Sequence, residues 1–419
     1  MALDRLFQQK TNGFSPDINQ TKKQGFESQF YTFREFNQLI YTLKQTYPHL
    51  LHVEQIGSGS VKGLPIWALK ISDNPEQREN EPAVLFTSIH HAKELLGGQL
   101  CMYLLQYFLQ GYEKDERIKK WVDDNAIWMV PILNPDGYEL VMDEDRSPQF
   151  WRKNLRDNNG NGKFDPRIDG VDINRNYDFN WDDESDNDPR SWYYRGPYPF
   201  SEKETQAIRD LALRERFAIH LDFHSYGEVI LYPWDNFTPP PDKNLIIDLA
   251  TNIAKQVRRN RSIDHYAIRP LNGRLGQSSV WMRGRAGVLS FIVEVGDSHV
   301  PKAWQVSNIT ESCANTAFYV LDRLYYSAIK GVVRNAYNKR PILAEIEFDR
   351  YASSVVENPY SDSETGFYFR IAEAGKYKIT FSAPGFRSKI VHDVIVDSDK
   401  ITTLNVELFP IEEMYPSAN

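Results

Sequence analysis

At 419 residues the chain is long enough for two or three domains of roughly 150 residues each, every one with its own buried core. Its 41% hydrophobic and 25% charged residues exclude a disordered or collagenous chain, and 57 acidic against 49 basic residues, a net charge of −8, argue against a nucleic-acid or anionic-membrane binder. Two cysteines, Cys101 and Cys313, cannot build a disulfide framework, and no apolar run approaches the roughly 20 residues of a membrane span.

Residues 1–29 are polar and aperiodic and read as an arm with little structure of its own. Thr32 and Glu35 have the spacing of a capping box. Phe33, Phe36, Leu39, Ile40 and Leu43 then repeat at helical spacing until Pro48. HVEQIGSG and LPIWALKI predict a strand pair, AVLFTSI (83–89) a buried strand and Leu95 to Tyr112 an apolar helix. NAIWMVPIL (125–133) is a further buried strand. Ser201 and Glu204 are predicted to cap a helix that leads to the strand FAIHLDF (217–223), and VLSFIVEV (288–295) precedes a helix over about 306–326.

This alternation predicts an α/β domain over 30–329, with a mixed, mainly parallel sheet flanked by helices on both faces. Beyond Ala328 the grammar changes to short alternating segments separated by turn residues, from GVVRNAY to ITTLNVELF. They predict a small all-β sandwich over 330–412, followed by a tail over 413–419. The acidic stretch DDESDND (182–188) reads as a solvated loop.

Chemistry is expected where the strands end. AVLFTSI runs into His90-His91-Ala92-Lys93-Glu94, the position at which an open α/β sheet presents its ligand sites. An imidazole and a carboxylate three residues apart can share one metal ion across a tight turn. FAIHLDF delivers His224 in the same way, so His91, Glu94 and His224 make a candidate two-histidine, one-glutamate zinc site with a position left for water. His90 and His220 are expected to be structural, pointing to the opposite sides of their strands.

Seven motifs follow one another in order: HHAKE (90–94), NPDGY (134–138), WRK (151–153), GVDINRN (170–176), GPYPFSEKET (196–205), HSYGEVILYPW (224–234) and SFIVEVGD (290–297). In these the chain from Tyr31 to about Tyr326 resembles the zinc metallocarboxypeptidases of the carboxypeptidase A type. The resemblance implies His91, Glu94 and His224 as zinc ligands and Glu294 as the general base. It implies Arg152 as the cation that stabilises the oxyanion, Asn174 and Arg175 as the pair that binds a substrate's terminal carboxylate, and Asp172 as the carboxylate that orients His91. Lys93, Ser225 and Tyr226, within the same motifs, are carried over as substrate-binding residues. The implied activity is zinc-dependent removal of single residues from the C-terminus of peptides or proteins. A monomer is expected.

The sequence departs from the family at two points. Near residue 272, where the family places a mobile tyrosine over the substrate, stands Asn272, and the nearest tyrosine is Tyr266. Lys93 replaces the usual arginine, keeping the charge and losing the planar fork. YPWD (232–235) is similar to the YPYD or YPFD of the regulatory branch, so Asp235 is a candidate for contacting a basic C-terminal side chain. The 330–412 segment resembles the transthyretin-like domain of that branch, types E, N and D. No activation pro-domain is seen ahead of Tyr31, so activity as made is expected. Relatives with such a second domain imply a secreted or periplasmic protein whose leader is absent from this chain, and MALDRLFQQK without a signal pattern also suits a cytoplasmic one.

Two further readings stay open: a cell-wall carboxypeptidase trimming peptidoglycan stem peptides, and an inactive, peptide-binding relative. Finally, Asp157, Asn159, Asn161 and Asp165 place oxygens at alternate positions with Gly162 at the sixth, a pattern that resembles a calcium loop without its glutamate at position twelve.

Overall fold

The computed structural model describes residues 30–143, 150–181 and 186–411; the predicted arm, the tail and most of the acidic 182–188 stretch lie outside the described residues. The Thr32 capping box opens helix α1 (Phe33–Thr46): the Thr32 hydroxyl accepts from the Glu35 amide at 3.2 Å and Glu35 Oε2 accepts from the Thr32 amide at 2.7 Å. Phe33, Phe36, Ile40 and Leu43 are its buried face, each contributing about 1.5–3 kcal/mol by leaving water.

Eight strands then form one mixed sheet: β1 (Leu51–Ser58), β2 (Pro65–Ile71), β3 (Ala83–Ser88), β4 (Ala126–Val130), β5 (Ile219–His224), β6 (Val229–Tyr232), β7 (Ala267–Pro270) and β8 (Leu289–Glu294). Their order is β1-β2-β4-β3-β5-β8-β6-β7, with β4, β3, β5 and β8 parallel at the centre. The helices α2 (Leu95–Gly111), α3 (Glu116–Asp124), α6 (Lys243–Ala254) and α8 (Ala303–Arg323) cover the face that also buries Val84, Phe86, Leu221 and Phe291. The opposite face buries Leu85 and Ile292 under α5 (Lys203–Glu215) and α7 (Ser278–Gly284). Strand residues of alternating parity therefore fill two separate cores, as a pleated strand with both faces covered requires.

One predicted detail differs. Helix α5 begins after Glu202 with no side-chain cap, because the Ser201 hydroxyl donates to Glu202 and Glu204 is turned inward. Glu204 there accepts from the Ser60 amide at 3.1 Å and from its hydroxyl at 2.6 Å. Burial pushes its carboxyl up to about 7, with the Glu202 charge adding to the effect.

After α8 come seven short strands in two sheets: β9 (Ala328–Asn335), β10 (Glu345–Phe348), β11 (Phe367–Ile371), β12 (Gly375–Ser382), β13 (Lys389–Val396), β14 (Ile401–Thr403) and β15 (Val406–Leu408). One sheet is β10-β12-β13. The other is β11-β9-β14, with β15 also on β9. They enclose a core of their own, with Ile346, Phe348, Tyr377, Ile379 and Phe381 at its centre. Asp242 ties this unit to the large sheet's helices: Arg283 of α7 reaches it at 2.7 Å and Arg370 of β11 at 3.4 Å, all three buried.

Candidate metal centre

The central strands β3, β5 and β8 run in register, with Ser88 beside Phe223 and His224 beside Glu294, so their carboxyl ends open at one level. Behind them Gly97 of α2 lets the helix close on the sheet; a Cβ there would lie 2.6 Å from the Phe223 carbonyl oxygen. Ile89, at a φ of 54°, turns the chain sharply out of β3 and delivers His91 and Glu94. Asn134 pins this turn: its amide nitrogen donates to the carbonyls of His90 and Lys153 at 3.3 and 3.1 Å, while its oxygen caps α4 (Pro135–Met142) through the Gly137 amide. That is the local work of the NPDGY and WRK motifs.

His91, Glu94 and His224 converge. The Nδ1 atoms of His91 and His224 lie 3.1 Å apart, and each lies 2.8 Å from a different oxygen of Glu94. All three side chains are buried. The outer nitrogen of each ring faces a carboxylate and so carries the proton of a neutral imidazole, which leaves two Nδ1 lone pairs and the Glu94 oxygens turned on one point. Tetrahedral ligand atoms at zinc bond lengths of about 2.0–2.2 Å stand about 3.3–3.6 Å apart, so a small outward movement of these donors suits a zinc ion. Burial works to raise the Glu94 carboxyl, and the two imidazoles override it and hold it well below the usual range.

The outer nitrogen of each imidazole faces a carboxylate, hydrogen-bonded for His224 and at ion-pair distance for His91, the arrangement that orients a metal-binding histidine. His91 Nε2 lies 3.3 Å from Asp172 Oδ1 and His224 Nε2 lies 3.1 Å from Asp222 Oδ2. Asp222 also accepts from the hydroxyls of Thr87 and Ser278, both at 2.8 Å, and faces His90 Nδ1 at 3.0 Å. His90, Asp222 and His224 thus form a second group able to share an ion, but every oxygen of Asp222 already has a protein partner. His90 does not turn away as expected from the strand alternation: its ring stacks on His224 at 5.4 Å and its Nε2 meets the Tyr177 hydroxyl at 3.0 Å. His220 lies beneath, between Thr87 and Ser290.

Arg152 grips Asp172 through Nε and Nη2 at 2.9 and 2.8 Å and presents Nη1 3.3 Å from His91 Nδ1. Asp172 also caps the 3₁₀ turn Ile173–Arg175, which carries the other two predicted groups. Asn174 Nδ2 is 3.4 Å from His224 Nε2 and its oxygen accepts from the Ser278 amide at 2.8 Å. Arg175 donates to the neighbouring Asn174 carbonyl at 2.7 Å and, among the described residues, has no carboxylate within ion-pair distance. Gly276, at a φ of 57°, packs on this turn; a Cβ there would sit 2.5 Å from the Arg175 carbonyl oxygen. Glu294 ends β8, partly buried beside the cluster, and burial together with the Glu94 charge pushes its carboxyl up to about 7.

The remaining predicted residues spread around this centre. Ser225 is buried and donates its amide to Glu94 Oε2 at 3.3 Å; the Ser225–Tyr226 peptide bond is cis. Tyr226 is half exposed with its ring edge-on to His299 at 4.7 Å, and Lys93 points over the Trp192 ring at 5.8 Å. Asp235 has an ion-pair partner within the chain, Lys243 at 3.5 Å, which leaves less of its charge for a basic ligand. The calcium reading gains no support. Asp157 accepts three backbone N–H groups of its own loop, Asn159 and Asn161 each hold an amide two residues on, and Asp165 pairs with Arg167 at 3.1 Å.

The family model for zinc carboxypeptidases matches residues 36–317. The chain belongs to the zinc carboxypeptidase family. It is 32% identical over 231 residues to a zinc carboxypeptidase of Saccharothrix mutabilis subsp. capreolus, covering 51% of this chain and 50% of that one. It is 33% identical over 232 residues to an inactive metallocarboxypeptidase of Uncinocarpus reesii, covering 52% of this chain and 38% of that one. The chain thus spans about half the length of these curated relatives or less. The carboxypeptidase A of Helicoverpa armigera shares the fold, with a TM-score of 0.63 at 22% identity over 77% of this chain and 80% of that one. The carboxypeptidase fold is therefore this chain's, with its mixed sheet flanked by helices.

Two residues at the centre went unread in the sequence. Asp222, an acid in an apolar strand two residues before His224 and so on the same face, carried a signal in that spacing. Tyr193, whose ring lies near Arg152 and Arg175, carried none beyond its neighbourhood to GPYPF.

Proposed function

We propose that the chain is a zinc-dependent metallocarboxypeptidase that hydrolyses the C-terminal peptide bond of peptides or proteins. The observation that carries this reading is Arg175, a guanidinium with no carboxylate partner among the described residues, standing beside three convergent metal donors. His91, Glu94 and His224 would hold the ion. Bound zinc would polarise the scissile carbonyl and lower the pKa of a water toward about 7. Arg175 takes the substrate's terminal carboxylate in its planar fork, with Asn174 beside it, and so selects a chain end over an internal bond. Arg152, held by Asp172 and aimed past His91, offers fixed positive charge to the oxyanion. Glu294 takes the proton of the attacking water and returns it to the leaving amine, a task suited to a carboxylate that stands beside the metal donors.

Residues beyond Ala328 are read as a transthyretin-like sandwich docked on the catalytic unit, supported by their separate core and the Asp242 junction. A preference for basic C-terminal residues rests on Asp235, which must give up Lys243 to serve it. The inactive reading is opposed by the full complement of donors, base and arginines in one place. No described helix is long and apolar enough to cross a membrane; secretion is part of this proposal on the family resemblance.

The test is turnover of acylated dipeptides ending in Lys, Arg, Phe, Leu, Glu and diaminopimelate, by zinc-loaded protein and by Glu294→Gln. Hydrolysis by the first and its loss in the second support the reading; zinc at well under one equivalent and no hydrolysis of any substrate would revive the inactive alternative.

A further inference from the structure

A substrate's terminal residue needs a wall to pack against, and neither sequence candidate is free to supply it. Tyr266 is buried in the core, its hydroxyl accepting from the Gly296 amide at 3.0 Å and meeting Cys313 Sγ at 3.4 Å. Asn272 is spent in a turn, accepting from Asn236 Nδ2 at 2.9 Å and from the Arg274 amide at 3.1 Å.

Tyr193 stands elsewhere in the chain and over the right groups. Its ring centroid lies 5.2 Å from the Arg152 guanidinium carbon and 5.5 Å from that of Arg175, within cation–π reach of both. The residue is 53% exposed, and among the described residues the hydrogen bond it makes is that of its amide. Its base is rigid. The adjacent Tyr194 is buried and its carbonyl accepts from the Asp172 amide at 2.8 Å, while the Tyr193 amide donates to Ser191 Oγ at 3.1 Å. The loop that bears the ring is therefore fastened to the same aspartate that orients Arg152 and caps the Arg175 turn.

We propose that Tyr193 is a substrate-contacting, specificity-determining residue: its ring, positioned by Arg152 and Arg175, is the wall against which the C-terminal side chain of the substrate packs. The proposal rests on the carboxypeptidase reading above. An exposed aromatic ring beside two guanidinium groups leaves its outer face to the ligand, and a terminal carboxylate drawn to Arg175 brings the attached side chain alongside it. Larger and more apolar C-terminal residues then gain more from the ring than small ones.

The test compares wild type, Tyr193→Phe and Tyr193→Ala, all zinc-loaded, on acylated dipeptides ending in Phe, Leu and Gly. For Tyr193→Ala the KM for Phe and Leu is expected to rise ~10-fold, about the worth of one aromatic contact, with kcat within about threefold and the Gly substrate little changed. Tyr193→Phe keeps the ring and is expected to stay close to wild type. Zinc content of one equivalent in each variant shows that the centre is intact. Equal losses on all three substrates would reduce Tyr193 to a structural role and overturn the proposal, and a fall in KM would make the ring a plug and overturn it too. Turnover of the Lys and Arg substrates with none of these three would overturn the proposal alone, whereas no turnover of any C-terminal residue, Lys and Arg included, would make the carboxypeptidase reading itself fail.

Discussion

Two clusters of buried charge serve this molecule in opposite ways. At the junction with the C-terminal strands, Asp242 is gripped by Arg283 and Arg370, so unlike charges are bonded to one another. At the strand ends opposite charges meet as well, Glu94 with both imidazoles and Arg152 with Asp172, but there two imidazole nitrogens also face each other at 3.1 Å, with an arginine nitrogen 3.3 Å from one of them. Burial alone therefore does not mark a working site. What marks it is a set of metal-ligating atoms turned toward one point, and an arginine, Arg175, left without a carboxylate among the described residues.

That contrast can be broken by substitution. Removing the proposed base should give the largest effect: Glu294→Gln is expected to lower kcat about 10²–10⁴-fold, measured on any substrate the wild type accepts, with no loss of thermal stability. A destabilised variant would show that Glu294 belongs with the structural charges. Asp242→Ala should behave in reverse, costing about 3–5 kcal/mol by denaturant unfolding because two buried guanidiniums lose their anion, with kcat per folded molecule unchanged. Next comes Asp222→Asn, expected to weaken zinc binding about 10–100-fold in a competition assay with a chelator, since His224 loses its orienting carboxylate. Unchanged affinity would leave Asp222 as sheet packing alone.

The smallest effect concerns Glu204. Its folded carboxyl, up to about 7, lies above the unfolded value of 4.5, so between these pH values the folded state binds the extra proton. Wild-type stability contributed by this group is full below about pH 4.5 and falls as pH rises to about 7. Glu204→Gln should flatten part of that slope, a difference on the order of 1–3 kcal/mol in unfolding free energy measured at pH 5 and pH 8. The same slope in both proteins would place the pH dependence in other groups.

Much of this was legible in the sequence because strand ends announce themselves. The apolar run that stops at Ile89 and the one that stops at Phe223 both hand over to a histidine, and parallel pairing then brings His91, Glu94 and His224 together. Thr32 and Glu35 were readable as a cap because both partners are local. Ser201 and Glu204 have the same spacing and do not cap, since Ser60, 144 residues earlier, competes for the glutamate, and no local pattern reports such a partner. Asp222 depends likewise on Thr87, 135 residues away, and Tyr193 on two arginines reached only through the folded loop. The Asp157 loop was over-read for the opposite reason: alternating Asp and Asn oxygens suit a cation, and they suit equally well the turn amides that hold them.

The central claim, that the incomplete cluster works on chain ends, is tested most directly by mass spectrometry of one peptide offered as the free acid and as its C-terminal amide to the zinc-loaded protein. Stepwise loss of single C-terminal residues from the free acid, with the amide left intact, is the expected result. Cleavage of both forms alike, or internal cleavage of either, would contradict it.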